Sequence, residues 1–195
     1  MQHIVILLGV PGSGKGTQAE FLGKEQGYEH ISTGDILRHL AGKQDALPDE
    51  VQAVLDMKKG DMAPDHVVFR HLFAKLDNDI PEGKSIVIDG APRSIRQAEI
   101  LEEYFTRMNV MDRLQVFEIH VPDEEILKRL EMRRAAGVRR VDDDPEIMKH
   151  RIEQQGNASI AVLVNFYKER NQLKVIDGLM SINDVHKAIV ESIHE

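Results

Sequence analysis

Gly9-Val10-Pro11-Gly12-Ser13-Gly14-Lys15-Gly16-Thr17 follows directly on the apolar run Ile4-Val5-Ile6-Leu7-Leu8. Five aliphatic residues without alternation suit a strand buried on both faces, the kind found in parallel sheets flanked by helices. The glycines let the backbone turn tightly and approach a ligand without Cβ clashes. From Lys15 a helical pattern resumes, with Ala19, Phe21 and Leu22 as its apolar positions. Strand, glycine loop, helix is the context a phosphate-binding loop needs. Gly12, Ser13, Gly14, Lys15, Gly16 and Thr17 are therefore candidate phosphate ligands. Backbone N–H groups and the helix N-terminus face the anion, and Lys15 reaches its outer phosphates. The general motif places Ser or Thr right after the lysine; here Gly16 intervenes before Thr17.

A chain of 195 residues can bury a substantial core, and one α/β domain with small inserts is the natural expectation. There is no cysteine, which excludes disulfides, thiolate chemistry and a cysteine-held zinc. The apolar run after Met1-Gln2-His3 is too short for a signal-peptide core, and no stretch reaches the ~20 apolar residues of a membrane span. A soluble, cytoplasmic protein is expected. A net charge of −8 argues against a general nucleic-acid binder, but not against a nucleotide where cations concentrate. They do concentrate. Six of the 13 arginines (Arg129, Arg133, Arg134, Arg139, Arg140, Arg151) fall within 23 residues, where even scatter would put about one or two. A solvated helix face favours lysine and glutamate, whereas arginine is preferred where a planar fork grips phosphate.

Along the chain, Tyr28 to Ile31 reads as a second strand, and Ser32 or Thr33 can cap a helix carrying Ile36, Leu37 and Leu40. Pro48 opens a helix over 49–59, with Val51, Val54, Leu55 and Lys58 at helical spacing, and Gly60 stops it. Pro64 begins the next helix, which runs to about Leu76. The third strand is Ser85 to Ile88, with Asp89 at its C-terminal end, the edge where parallel sheets bind ligands. A carboxylate there can orient water on Mg²⁺. Leu114 to Val121 is the fourth strand. In the helix that Asp123 caps, Ile126, Leu127 and Leu130 face inward and Arg129 and Arg133 share another face at i, i+4. His120, a strand histidine without partners in the sequence, reads as structural. A helix over 146–170 breaks near Gly156-Asn157, Leu173 to Asp177 is the fifth strand, and an amphipathic helix closes the chain.

Five separated motifs then resemble one family in order: Gly9-to-Thr17, Ser32-Thr33-Gly34-Asp35-Ile36-Leu37-Arg38, Gly60-Asp61-Met62-Ala63-Pro64-Asp65, Asp89-Gly90-Ala91-Pro92-Arg93 with Gln97, and Arg140-Val141-Asp142-Asp143 eleven residues before Arg151. They are similar to those of the adenylate kinases, within the nucleoside monophosphate kinases, in their short-lid form. The resemblance implies a P-loop NTPase-type three-layer α/β/α fold with a five-stranded parallel sheet. Residues 1–31, 62–133 and 145–195 would form the core, 32–61 an AMP-binding insert and 134–144 a short lid. It further implies Mg-dependent transfer of a phosphoryl group from ATP to AMP, giving two ADP. ATP would meet the loop from Gly12 to Thr17, Arg129, Arg133 and Gly178. AMP would meet Thr33, Gly34, Arg38, Arg93, Gln97, Arg140 and Arg151. Lys15, Arg93, Arg129, Arg133, Arg140 and Arg151 would be catalytic, and Asp89 would hold Mg²⁺ through water. No zinc, nucleic acid or membrane is implied, and a monomer is the family default. Two departures stand out: Ala91 replaces an aromatic, and an extra residue before Arg140 lets Arg139 compete for its role. Pyrimidine nucleotide kinases usually carry Ala where Thr33 stands, which favours AMP. The alternatives are a kinase for UMP, CMP or GMP, and a nucleotide-binding module without transfer activity.

Overall fold

Five strands, all parallel, form one sheet in the order β2-β3-β1-β4-β5. The structure is a computed structural model that describes residues 1–135 and 144–194. β1 is Ile4–Leu8, β2 Glu29–Ser32, β3 Ile86–Asp89, β4 Leu114–His120 and β5 Leu173–Asp177. β1 lies between β3 and β4, in register with Ile4 opposite both Ile86 and Leu114. All five of its side chains are buried, as its unbroken aliphatic run requires.

Alternate strand residues feed two cores. Ile4, Ile6, Ile86, Ile88 and Val116 pack against Phe69, Leu72 and Leu76 of α4 (Asp65–Asp79), Leu101, Tyr104 and Phe105 of α5 (Ile95–Arg107), and Leu163, Phe166 and Tyr167 of α8 (Asn157–Glu169). Val5, Leu7, Val87, Phe117 and Ile119 pack against Ala19 and Leu22 of α1 (Lys15–Gln26) and Val185, Ile189 and Ile193 of α9 (Ile182–His194). The architecture is thus the three-layer α/β/α expected.

Two smaller clusters lie over the C-terminal ends of the strands. One joins Leu37 and Leu40 of α2 (Thr33–Leu40) to Ala53, Val54 and Met57 of α3 (Pro48–Lys59) and Val67 of α4. The other joins Val10 and Val121 to Ile126 and Leu130 of α6 (Asp123–Ala135) and Met148 of α7 (Pro145–Gln155). Sequence spacing misjudged two faces. Val51 and Leu55 of α3 are exposed, and the buried positions are Glu50, Ala53, Val54 and Met57. Leu127 of α6 is exposed as well, leaving Ile126 and Leu130 to anchor that helix. Gly156 separates α7 from α8 where a break was expected.

Candidate active site

The C-terminal ends of β1, β2 and β3 open into a cavity of about 410 Å³, walled by the loop after β1, by α2 and by the segment after β3. In parallel sheets this edge, beside the central strand where connections diverge, is the ligand edge.

The loop wall comprises Gly9, Pro11, Gly12, Gly14, Lys15, Gly16 and Thr17. Gly12 has a left-handed backbone (φ +91), and a Cβ there would lie 3.0 Å from Leu130 Cδ2, so the loop fits closely under α6 only as glycine. Lys15 opens α1 and folds back across the loop. Its Nζ donates to the carbonyls of Gly9 (2.6 Å) and Val10 (3.0 Å). Ser13 is buried beneath the loop and does not line the cavity. Asp89, at the end of β3, faces the loop: a Cβ on Gly16 would be 3.5 Å from its Oδ2.

On the opposite wall stand Thr33, Gly34, Arg38, Gly90, Ala91, Pro92, Arg93 and Gln97. Ser32 caps α2 by accepting from the Asp35 N–H at 3.2 Å, which starts the helix beneath the cavity. Arg38 pairs with Asp35 (Nη2 to Oδ1, 2.6 Å) and lies over Gly34, where a Cβ would meet its Nη2 at 3.1 Å. Gly90, with φ +88, turns the chain sharply after β3 and brings its backbone against Thr33 Oγ1. Arg93 is braced on two sides: its Nε donates to Gly90 O at 2.7 Å, and its Nη1 donates to Gln155 Oε1. Gln97 is nearly fully buried in the first turn of α5, which Ser94 caps.

Arg129 and Arg133 of α6 and Arg151 of α7 line the cavity together with Gln154 and Gln155. Arg129 is oriented by Glu125 (Nε to Oε1, 3.2 Å) and by the Gly178 carbonyl (Nη2 to O, 2.8 Å). Among the expected residues, Gly12, Gly14, Lys15, Gly16, Thr17, Thr33, Gly34, Arg38, Asp89, Arg93, Gln97, Arg129, Arg133 and Arg151 share this one cavity. Gly178 is not in its lining and touches the site through Arg129. Arg139, Arg140, Asp142 and Asp143 lie outside the described residues. Gln155 was missed by sequence reasoning, since an uncharged glutamine late in a helix carries no signal of its own; Asp65 stands in the Gly60-to-Asp65 motif but was given no role there.

The acceptor-side helices are tied by a polar network. Glu50, almost wholly buried, accepts from the Leu47 N–H at 2.9 Å and meets His71 Nε2 at 2.8 Å. The Leu47 N–H holds its carboxyl below the ordinary glutamate value, with His71 adding to that and desolvation opposing it. Arg70 donates to Asp49, which lowers the Asp49 carboxyl and raises the guanidinium.

Residues 7–172 match the family model described as adenylate kinase. The chain belongs to the adenylate kinase family. Proteins named adenylate kinase are similar along nearly their whole length. That of Dehalococcoides mccartyi is 34% identical over 218 residues, covering 97% of both chains. That of Leptospira biflexa is 36% identical over 190 residues, covering 97% of this chain and 98% of the relative. That of Thermus thermophilus is 35% identical over 185 residues, covering 95% and 94% respectively. Among the described residues, no helix is long and apolar enough to cross a membrane.

Proposed function

We propose that the protein transfers the terminal phosphoryl group of Mg·ATP reversibly to AMP, yielding two ADP, with the loop after β1 holding the donor and the α2 and β3 side holding the acceptor. The observation that carries this reading is the single cavity: the Lys15 loop forms one wall, Arg38, Arg93 and Gln97 the other, and Arg129, Arg133 and Arg151 stand with both.

The attacking atom is a phosphate oxygen already ionised at neutral pH, so no general base is needed. Catalysis becomes positioning plus charge stabilisation. Lys15 exchanges the Gly9 and Val10 carbonyls for donor phosphate oxygens, while the loop N–H groups hold the rest of the chain of phosphates. Arg38 and Arg93 grip the acceptor phosphate, each already oriented, by Asp35 and by Gly90 with Gln155. Arg129, Arg133 and Arg151 meet the charge that spreads over the transferring group. By family resemblance Arg140 joins them from the 134–144 segment. Residues 32–61 act as the AMP-binding insert, consistent with the small apolar cluster that α2 and α3 share.

The donor set suits magnesium: Asp89 and Thr17 offer hard oxygen ligands into the cavity, directly or through water. When bound, the ion neutralises charge on the donor phosphates.

A coupled assay offering AMP, CMP, UMP and GMP as acceptors with Mg·ATP tests the reading. ADP formation with AMP should exceed that with each other acceptor. Turnover of UMP with negligible turnover of AMP would overturn it.

A further inference from the structure

The Gln97 carboxamide is held from two sides. Its Oε1 accepts the Arg93 backbone N–H at 2.8 Å, and its Nε2 donates to Asp65 Oδ1 at 2.7 Å. The residue is only 3% exposed, and its own backbone N–H is taken by Ser94 Oγ at 3.2 Å. Both carboxamide partners work in one direction only: a backbone N–H donates, and an ionised carboxylate accepts. A carboxamide turned over by a half-turn would set NH2 against N–H and oxygen against carboxylate, leaving buried groups unmet on both sides. Gln97 therefore has one orientation. What remains for the cavity is its second N–H and its second oxygen lone pair, in a set order.

We infer that Asp65 is a positioning residue for base selection: through Gln97 it sets the donor and acceptor order that matches a 6-aminopurine and mismatches a 6-oxopurine. This rests on the reading of AMP as acceptor with Gln97 at its base. The adenine edge offers an acceptor at N1 and a donor at N6; a 6-oxopurine reverses both. For a base held in one place by the cavity, a glutamine free to turn over serves either edge, and a locked one serves only the first. Asp65 is the first residue of α4 and does not line the cavity, so its influence reaches the base by way of Gln97.

The test compares AMP with inosine monophosphate, which presents the reversed edge, under Mg·ATP. In Asp65→Ala the KM for AMP should rise about tenfold with the KM for ATP unchanged, and the AMP-over-IMP ratio of kcat/KM should fall about tenfold. Asp65→Asn, which keeps an oxygen acceptor in place, should hold that ratio within about threefold of wild type. A loss of helix stability alone would lower the melting temperature and leave the ratio unmoved. An unchanged ratio in Asp65→Ala overturns the inference. So does a ratio change of the same size when Asp65→Ala is made on a Gln97→Ala background, because the two residues would then act independently. Should Asp65→Ala not fold, Asp65→Ser answers the same question: its hydroxyl suits a helix start but stops short of Gln97. Wild-type protein that uses IMP as readily as AMP overturns the acceptor reading itself. Wild-type preference with an unaltered Asp65→Ala overturns only the role of Asp65.

Discussion

Lys15 is the residue on which the donor wall turns, because its ammonium is the cation built into the loop itself. Replacing it with methionine keeps the stem and removes the charge. Lys15→Met should lower kcat by about 10²- to 10³-fold, in line with losing one preorganised charged donor. Circular dichroism should stay that of the native protein. A variant that turns over at the wild-type rate would remove Lys15 from the mechanism. Charged positions such as Lys15, Asp89, Arg93 and Arg129 stood out in the sequence, Arg93 through the resemblance of its motif, and the structure gathers them in one cavity. Gln155 was not legible. Its value lies in contacts with Arg93, 62 positions away, and with the Gly60 carbonyl, 95 positions away, and nothing local announces them. Ala91 reads as a departure in the sequence; it is 1% exposed, packs with the main core and also lines the cavity.

Among the elements, α3 departs furthest from what its sequence suggests. Apolar spacing points to Val51 and Leu55 as its inner face, and both are exposed. A buried glutamate is not expected from pattern alone. Glu50 is buried because Leu47 one turn earlier and His71 on α4 satisfy it, and the second of these partners is invisible to a local reading. Strands fared better: all five begin and end within a residue or two of expectation, since short apolar runs bounded by glycine, proline or charge leave few alternatives. The lowered Glu50 and Asp49 carboxyls give this pair of helices a pH dependence. A group whose pKa falls on folding adds stability above its unfolded value, and that stability is lost as the pH drops through the folded value. The melting temperature should therefore fall on acidification below about pH 4. Glu50→Gln should melt below wild type at pH 7, with the gap closing at the acid end. Parallel melting curves across that range would show that Glu50 carries no such linkage.

For the molecule as a whole, stability is concentrated in the centre of the sheet. β1 is fully buried, has a strand on either side, and is covered by α4, α5 and α8 on one face and by α1 and α9 on the other. Burying aliphatic side chains contributes about 1.5–3 kcal/mol each, so no local opening of β1 is inexpensive. In native-state hydrogen exchange the amides of Ile4–Leu8 should exchange only through global unfolding. Those of β5, an edge strand with Val175 59% exposed, should exchange earlier. Exchange of β1 ahead of β5 would contradict this ordering.

The strand order has a further consequence during synthesis. As the chain grows, Ile4–Leu8 emerges well ahead of its partners, since Ile86 and Leu114 follow about 80 and about 110 residues later. Until then the most apolar segment of the protein is a strand with two bare edges, the form most prone to pair with a neighbouring nascent chain. The segment that later anchors the native sheet is the one most in need of shelter while it is being made.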